Sequence, residues 1–286
     1  MANSIAAYTD AQIMRCLLTH NFSALGRAFT DDAVTKIKAG AFYGATNLDE
    51  VSLPSVKEIG ALAFAGSSIA TLTLDWEHIE SIGINAFQGN PGILPQNLVL
   101  SSLTAIGRGA FAGTSSARNT QLRTASLPQW TGSAPTDTGF SATTGVFAYC
   151  SAMTEVNVPL LASVPTNTFQ YCTSLTEVVL PRAASIGGNS FQSCSNLKTL
   201  DIGGAVTSMS SAFLQTTSKL EALILRGVTS VPTITSSTFS STRIATGYAY
   251  VYVPKSLEAT FKVASNWATY AAQIRAIEDY PDVCGS

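Results

Sequence analysis

Charge is scarce in this sequence, and its scarcity excludes several classes of function. Only 12% of the 286 residues are Asp, Glu, Lys or Arg, and the formal net charge is −2. The basic residues form no cluster, so the chain has no positive field that would attract nucleic acid. Apolar residues form no run of about 18, so no segment is predicted to span a membrane. We therefore expect neither a nucleic-acid partner nor membrane insertion.

The residues and motifs of common active sites are equally sparse. The sequence has two histidines, His20 and His78, and contains no phosphate-binding, serine-hydrolase or zinc-protease motif. Its five cysteines include no CxxC pair and no Cys/His spacing typical of zinc. The sequence therefore predicts a protein that is not an enzyme, with no catalytic residue, no metal site and no cofactor.

A secretion signal is also missing from the sequence. The N-terminal stretch MANSIAAYTDAQIM has no basic region and no continuous apolar core, so it does not predict a Sec signal peptide. Two interpretations stay open: the protein is made in the cytoplasm, or the numbering begins after processing.

What the sequence does contain is a repeat with a constant step. Phe147, Phe169, Phe191 and Phe213 are each 22 residues apart, and Cys150, Cys172 and Cys194 keep the same step. A period of 22 residues is too short for a domain. Each copy must therefore be one coil of a stacked structure.

One coil can be read from the stretch LTEVVLPRAASIGGNSF. Leu175, Val178 and Leu180 have the spacing of a short strand that turns alternate side chains inward, and Pro181 ends that strand. Gly187 follows an inward isoleucine, where we expect a tight turn at positive φ. Residues 189–192 are predicted to form a short helical turn that places a phenylalanine in the core.

This pattern, LxxLxLPxxxxxIGxxAFxxC repeated about nine times, resembles the BspA-like bacterial leucine-rich repeats. The resemblance covers almost the whole chain. It implies an α/β repeat fold: a right-handed solenoid of about nine coils with a parallel β-sheet on one side, short helical turns on the other and helical caps at both ends. Members of that class are mostly surface-exposed binding proteins without shared catalytic residues, which implies an extracellular or cell-surface location.

The repeat boundaries predict three segments. Residues 1–30 form an N-terminal cap with a helix that starts at Thr9-Asp10, or else a separate attachment segment. Residues 31–254 form the solenoid with an irregular insertion over 114–146, and residues 255–286 form a C-terminal helical cap and tail. Phe261, Trp267 and Ile274 are predicted to cover the last coil. The tail also loosely resembles repeat proteins encoded near phage tail genes in gut Firmicutes.

The three cysteines of the repeat share one position in each coil. Other coils hold small residues there, such as Ala45, Ser67 and Thr114. That interchange predicts a buried slot filled by reduced thiols.

Two regions are candidates for binding. The loop over 129–145 carries Trp130 and Phe140, which either face a partner or fold back onto a neighbouring coil. The outward positions of the strands include Glu155 and Glu177, predicted to lie one above the other as a weak cation site or a mildly repulsive exposed pair. Further outward positions are apolar or aromatic: Val179, Ile224, Tyr250 and Tyr252. Such tyrosines favour protein recognition, unless the C-terminal cap covers them.

The sequence thus favours a non-enzymatic binding scaffold. We expect a monomer that recognises a protein or glycan partner through the sheet face and the 129–145 loop. The alternative is a virion-associated protein, a structural or receptor-recognition component of a phage-like particle.

Overall fold

The computed structural model describes residues 3–4, 27–135 and 144–285, in which most of the regular elements are short β-strands. The strands up to residue 126 are β1 (Asn3–Ser4), β2 (Ala28–Thr30), β3 (Lys36–Ile37), β4 (Glu50–Ser52), β5 (Glu58–Ile59), β6 (Thr71–Thr73), β7 (Ser81–Ile82), β8 (Asn97–Val99), β9 (Ala105–Ile106) and β10 (Thr124–Ser126). Those that follow are β11 (Glu155–Asn157), β12 (Ser163–Val164), β13 (Glu177–Leu180), β14 (Ser185–Ile186), β15 (Thr199–Ile202), β16 (Ala222–Leu225), β17 (Tyr250–Val253) and β18 (Ile274–Ala276).

The chain divides into two compact units, Met1–Gln129 with Ser133–Cys150 and Trp130–Gly132 with Ser151–Ser286. In the first unit β1, β2, β4 and β6 form a parallel sheet, β8 pairs with β10, and β3, β5, β7 and β9 form a second parallel ladder. In the second unit β13, β15, β16, β17 and β18 form a parallel sheet, and β12 pairs with β14. The predicted repeat solenoid is confirmed, with about ten turns rather than nine.

The strand of each coil forms where the sequence predicts it. In β13, Val178 and Leu180 point inward and are buried, whereas Val179 between them points outward and is 46% exposed. Pro181 follows the last residue of the strand, where its missing N–H ends the pairing. The inward side chains of successive coils build the core.

In four coils a glycine follows an inward isoleucine, and it allows close approach rather than a positive φ, which corrects the expectation for Gly187. A Cβ at Gly187 would lie 2.5 Å from the backbone nitrogen of Thr166 in the preceding coil. Gly60 and Gly83 meet the same obstacle at 2.4 and 2.3 Å. Glycine is required there because any side chain would push neighbouring coils apart.

The turn that carries each phenylalanine is not helical, contrary to the expectation. Asn189 and Ser193, on either side of Phe191, have φ of 55° and 60°. The N–H of Phe191 donates to the carbonyl oxygen of Phe213 in the next coil (2.8 Å), and the N–H of Ser193 donates to Gln215 (2.8 Å). Alternate N–H groups in this turn therefore connect coils, whereas an α-helix would keep them within one segment.

Phenylalanine rings stack behind these turns. In the first unit, neighbouring rings lie 5.2–5.6 Å apart and within 14° of parallel, along a ladder formed by Phe42, Phe64, Phe87, Phe111 and Phe147. In the second unit Phe169 stacks on Phe191 at 5.3 Å. One buried ring per coil thus fills the space between the sheet and the turns.

The cysteine slot is confirmed as a buried spacer. Cys150, Cys172 and Cys194 are fully buried free thiols. Burial raises the pKa of Cys194 to about 12, and its Sγ–H donates to the carbonyl oxygen of Phe169 (3.0 Å). Burial also raises the pKa of Cys150. Cys150 and Cys194 therefore stay neutral and unreactive in the folded protein.

The last coil is covered by the C-terminal segment, as predicted. Helix α1 (Lys255–Val263) buries Phe261, and a 3-10 helix over Ala268–Gln273 follows. Trp267 is buried, lies 5.5 Å from the ring of Phe239, and donates its Nε1–H to the carbonyl oxygen of Pro232 (2.7 Å). These residues end the aromatic ladder of the second unit.

Two details of this segment differ from the prediction. Ile274, expected on a helical turn, begins β18, which pairs with β17 and adds a strand to the sheet. Ser256, which the sequence predicts as the N-cap of this helix, does not cap α1, because the residue before the helix is Pro254. Instead, a carboxylate oxygen of Glu278 accepts the N–H of Lys255 (2.9 Å), so a remote side chain caps the first turn.

The predicted N-terminal cap helix, with Thr9 and Asp10 at its start, lies outside the described residues. β2 falls within the range assigned to that cap and pairs with both β1 and β4, so the first coil begins earlier than predicted. In the part of the chain that the structure describes, helices are too short or too polar to cross a membrane.

Candidate functional site

The outward side of the strands in the second unit presents one continuous row of side chains. Parallel pairing aligns this row residue for residue as Val179, Asp201, Ile224, Tyr252 and Arg275. A second row, two residues earlier, contains Glu177, Thr199, Ala222 and Tyr250. The outward side chains of β13 are exposed, whereas those of β16 and β17 are apolar or aromatic and mostly buried.

A groove opens on this face between β11 and β13. The two strands belong to separate hydrogen-bonded sheets, and the groove between them has a volume of about 590 Å³. Glu155 and Glu177 line it from the two strands, as do Asn157, Val179 and Pro181. Both glutamates are exposed, and the acidic pair that was predicted on neighbouring strands therefore lines this groove from both sides.

The apolar end of the face is covered by the segment that follows β18. Ala222, Ile224 and Tyr252 form a buried cluster with Cys284, against which Tyr250 and Tyr280 pack. Ile224 and Tyr252, predicted as exposed binding residues, are therefore buried, and Tyr250 is half-buried. The sequence left open that the C-terminal cap helix covers the two tyrosines. In the structure the segment after β18 covers them instead, and it also covers Ile224, which was not expected.

Polar contacts hold that covering segment in place. Arg226 donates from Nε to both carboxylate oxygens of Asp201 (3.0 and 2.8 Å), and its Nη2 donates to the carbonyl oxygen of Cys284. Burial raises the pKa of Asp201 above its usual range, although Arg226 opposes that effect. The guanidinium of Arg275 lies over the ring of Tyr250 (3.7 Å) and over that of Tyr280 (4.8 Å).

The site also includes five residues that the sequence pattern did not predict: Asp201, Arg226, Arg275, Tyr280 and Cys284. The available signal was the apolar character of outward positions on two adjacent strands, since such positions need a cover. The register then places Arg275 beside them, one strand further on.

The 129–145 loop does not present Trp130 to solvent. Trp130 is fully buried, and the carbonyl oxygen of Thr131 accepts the N–H of Ala162 (3.0 Å) from the next coil. The start of the loop is therefore packed rather than available for binding. Phe140 lies outside the described residues.

Metal-binding clusters are not found in the described ranges. No set of three or more His, Cys, Asp or Glu side chains within them is arranged to hold a metal ion. His78 lies in an exposed turn, where its Nδ1 is 2.7 Å from a carboxylate oxygen of Asp75. The groove and the covered face remain the two features of interest.

Solved structures similar to the chain include several bacterial repeat proteins. The pneumococcal vaccine antigen PcpA is 14% identical, with a TM-score of 0.41 over 87% of this chain and 77% of the antigen. A leucine-rich repeat protein from Bacteroides ovatus is 18% identical, with a TM-score of 0.39 and coverage of 87% and 83%. A leucine-rich cell surface protein from Faecalibacterium prausnitzii is 16% identical, with a TM-score of 0.33 and coverage of 85% and 82%. No curated protein sequence matches the chain.

The family comparison covers most of the chain. The model of the BspA type leucine-rich repeat region matches six copies of the repeat, over residues 22–129 and 142–261. Those ranges contain the strands β2 to β17 and the phenylalanine and cysteine ladders. The chain belongs to the BspA-type leucine-rich repeat family.

Proposed function

We propose that this protein is a binding scaffold that takes a protein partner in the groove between β11 and β13. Repeat proteins of this family and fold are typically non-enzymatic binding scaffolds. The observation that supports the site is the interruption of the sheet between two adjacent coils. Because members of the class are mostly surface-exposed, we also infer a cell-surface location.

Because the sheet is interrupted at the groove, backbone groups of the strand can contribute to binding there. Of the strands that the structure describes, β13 pairs only with β15, so its edge toward β11 carries backbone groups without a ladder partner. An extended peptide can add to such an edge through main-chain hydrogen bonds, while pockets along it select side chains.

The lining of the groove suggests the chemistry of the partner. Glu155 and Glu177 contribute negative charge from both walls, and Val179 offers an exposed apolar surface beside them. A peptide that carries both basic and aliphatic side chains would complement this combination. A neutral glycan could not form ion pairs with the two carboxylates.

A displayed library of random peptides, with an array of glycans beside it, tests this function. We expect the intact protein to select basic and aliphatic peptides, and the double variant Glu155→Lys/Glu177→Lys to bind them about tenfold more weakly or worse. The control Glu50→Lys/Glu77→Lys makes the same total charge change at two exposed positions that do not line the groove, and it should leave binding unchanged. Peptides that bind all three proteins equally, or ligands found only among the glycans, would contradict the proposal.

A further inference from the structure

Residues 277–285, which we call the strap, cover a face that the repeat itself leaves exposed. The row that contains Val179 on β13 continues as Ile224 on β16 and Tyr252 on β17. Val179 is 46% exposed, whereas Ile224 and Tyr252 are 1% and 4% exposed. The difference arises from the strap, since Cys284 packs against Ile224 and Tyr252 from outside the sheet.

The strap binds through three separate sets of contacts. At its start, the carboxylates of Glu278 and Asp279 accept hydrogen bonds from the N–H (2.9 Å) and the Nζ (2.6 Å) of Lys255, at the first turn of α1. In the middle, Tyr280 lies edge-on to Tyr252 (5.6 Å) and contacts the guanidinium of Arg275. Together with the backbone contact described next, these charged and aromatic contacts are of the kinds by which a protein surface recognises a peptide.

The third contact lies at the other end of the strap, where Arg226 donates to the carbonyl oxygen of Cys284. That carbonyl belongs to α2 (Pro281–Cys284), a helix of four residues. A helix this short has no stability of its own, so it depends on the surface beneath it.

The strap has the properties of a segment that opens locally. None of its residues joins a strand, and among the nine only Cys284 is buried. The strands beneath it are held by parallel pairing on both sides of β16 and β17, independently of the strap. Segments with few buried contacts open at a much lower free energy than the core that carries them.

We propose that the outward face of β16, β17 and β18, together with Lys255 and Arg226, is a second peptide-docking site that the strap occupies in the absence of a partner. Its ligand is a polypeptide segment with two adjacent carboxylates followed by tyrosine, the chemistry of Glu278, Asp279 and Tyr280. Such a segment displaces the strap and binds the apolar surface of Ile224 and Tyr252. This site is separate from the groove and does not depend on the function proposed for it.

The direct test uses the strap as a synthetic peptide. The peptide covers residues 277–286 with Cys284→Ser, and the protein lacks residues 277–286. We expect saturable binding by fluorescence anisotropy, weakened about tenfold or more by Lys255→Glu in the protein or Tyr280→Ala in the peptide. Lys219→Glu, an equal charge change at an exposed site outside the contact, should not alter the affinity. Absence of saturable binding, or equal binding of the Tyr280→Ala peptide, would overturn the proposal.

A second measurement uses the intact chain and needs no deletion. In a Cys16→Ser background, Cys284 reports strap opening through its reaction with a thiol reagent, while Cys150, Cys172 and Cys194 report global unfolding. We expect Cys284 to react first under native conditions, and the cysteine-free peptide to accelerate its reaction. If Cys284 reacts only together with the three core thiols, the strap is a permanent part of the fold and the docking site does not exist.

Discussion

At the scale of single residues, the glycine that follows an inward isoleucine in four coils permits the close spacing of those coils. Its missing Cβ lets the backbone of one coil touch the backbone of the coil before it, at positions such as Gly60 and Gly187. The sequence shows the Ile-Gly pair clearly but not its cause. Whether two backbones come close depends on the neighbouring coil, which one repeat does not show. Considered alone, the Ile-Gly pair looks like a tight turn and predicts a positive φ at the glycine.

Replacement of one of these glycines should therefore destabilise the protein by overpacking. Gly187→Ala places a methyl group about 2.5 Å from the backbone nitrogen of Thr166, and we expect a loss of about 1–3 kcal/mol. Gly92→Ala is the control, because a Cβ there meets nothing within 4 Å, and it should change stability by less than about 0.5 kcal/mol. Urea denaturation gives both values. Equal stabilities of the two variants would show that the coils separate easily.

At the scale of elements, the strands were predictable and the C-terminal segment only in part. Strand positions follow from alternating Leu and Val residues before proline, a local signal that each coil repeats. The positions of Trp267, Tyr270 and Ile274 have a helical spacing, yet Ile274 lies in β18. Pairing with β17, whose outer edge would otherwise be open, overrides that local preference.

Removal of the ring that ends the aromatic ladder should expose the last coil. Trp267→Ala loses contacts to Phe239 and Phe261 and the hydrogen bond to Pro232, and we expect a loss of about 3–5 kcal/mol with a lower melting temperature. Val263→Ala, at a side chain 79% exposed, should change stability little. Melting curves measure both, and light scattering reports the increased association that we expect for Trp267→Ala. An unchanged melting temperature would mean that this segment does not act as a cap.

Alkaline pH should release the strap before the core unfolds. Burial raises the pKa of Cys284 above 9.0 and that of Tyr252 above 10.0, and a hydrogen bond from Lys255 to Asp279 raises the pKa of that amine above 10.5. In each case the folded protein holds its proton more tightly than the unfolded chain. The stabilisation is thus complete below pH 9 and is lost as pH rises through the raised values.

The midpoint of this alkaline transition can be followed by tyrosine absorbance. Tyr252→Phe removes one of the three ionising groups, so the midpoint should move to higher pH. Tyr248→Phe, at a ring 69% exposed and outside the strap, should leave it in place. A transition that Tyr252→Phe does not shift would show that the buried hydroxyl does not control the strap.

At the scale of the whole molecule, the sequence predicted the solenoid but not where its sheet is interrupted. β11 and β13 carry the same inward pattern as the paired strands, so nothing local distinguishes them. The groove results from how two coils stack, which one repeat does not encode. The covered face was missed for a related reason: Ile224 and Cys284 are far apart in sequence, and only folding brings them together.

The register of the coils predicts which deletions the fold tolerates. Glu50 pairs with Thr71, so deletion of residues 50–70 removes one whole coil and places β6 where β4 was. We expect a folded protein with a cooperative melt. Deletion of residues 50–69 removes one residue fewer and turns inward side chains outward, so it should prevent cooperative folding. Circular dichroism melts of the two proteins decide the matter. Similar melting curves would mean that the turns adjust to the one-residue shift and keep the core side chains facing inward.

That residue-for-residue register also bears on how a gene for this protein can change length. Recombination between two repeats inserts or removes a complete coil, and each new junction then meets the same neighbours as the old one. Smaller insertions are tolerated where they fall between strands. Ala222 and Tyr250 form a pair, although they are six residues further apart in sequence than the paired residues Glu177 and Thr199. Growth by duplication therefore conserves the core, while the outward positions are left free to diverge with each copy.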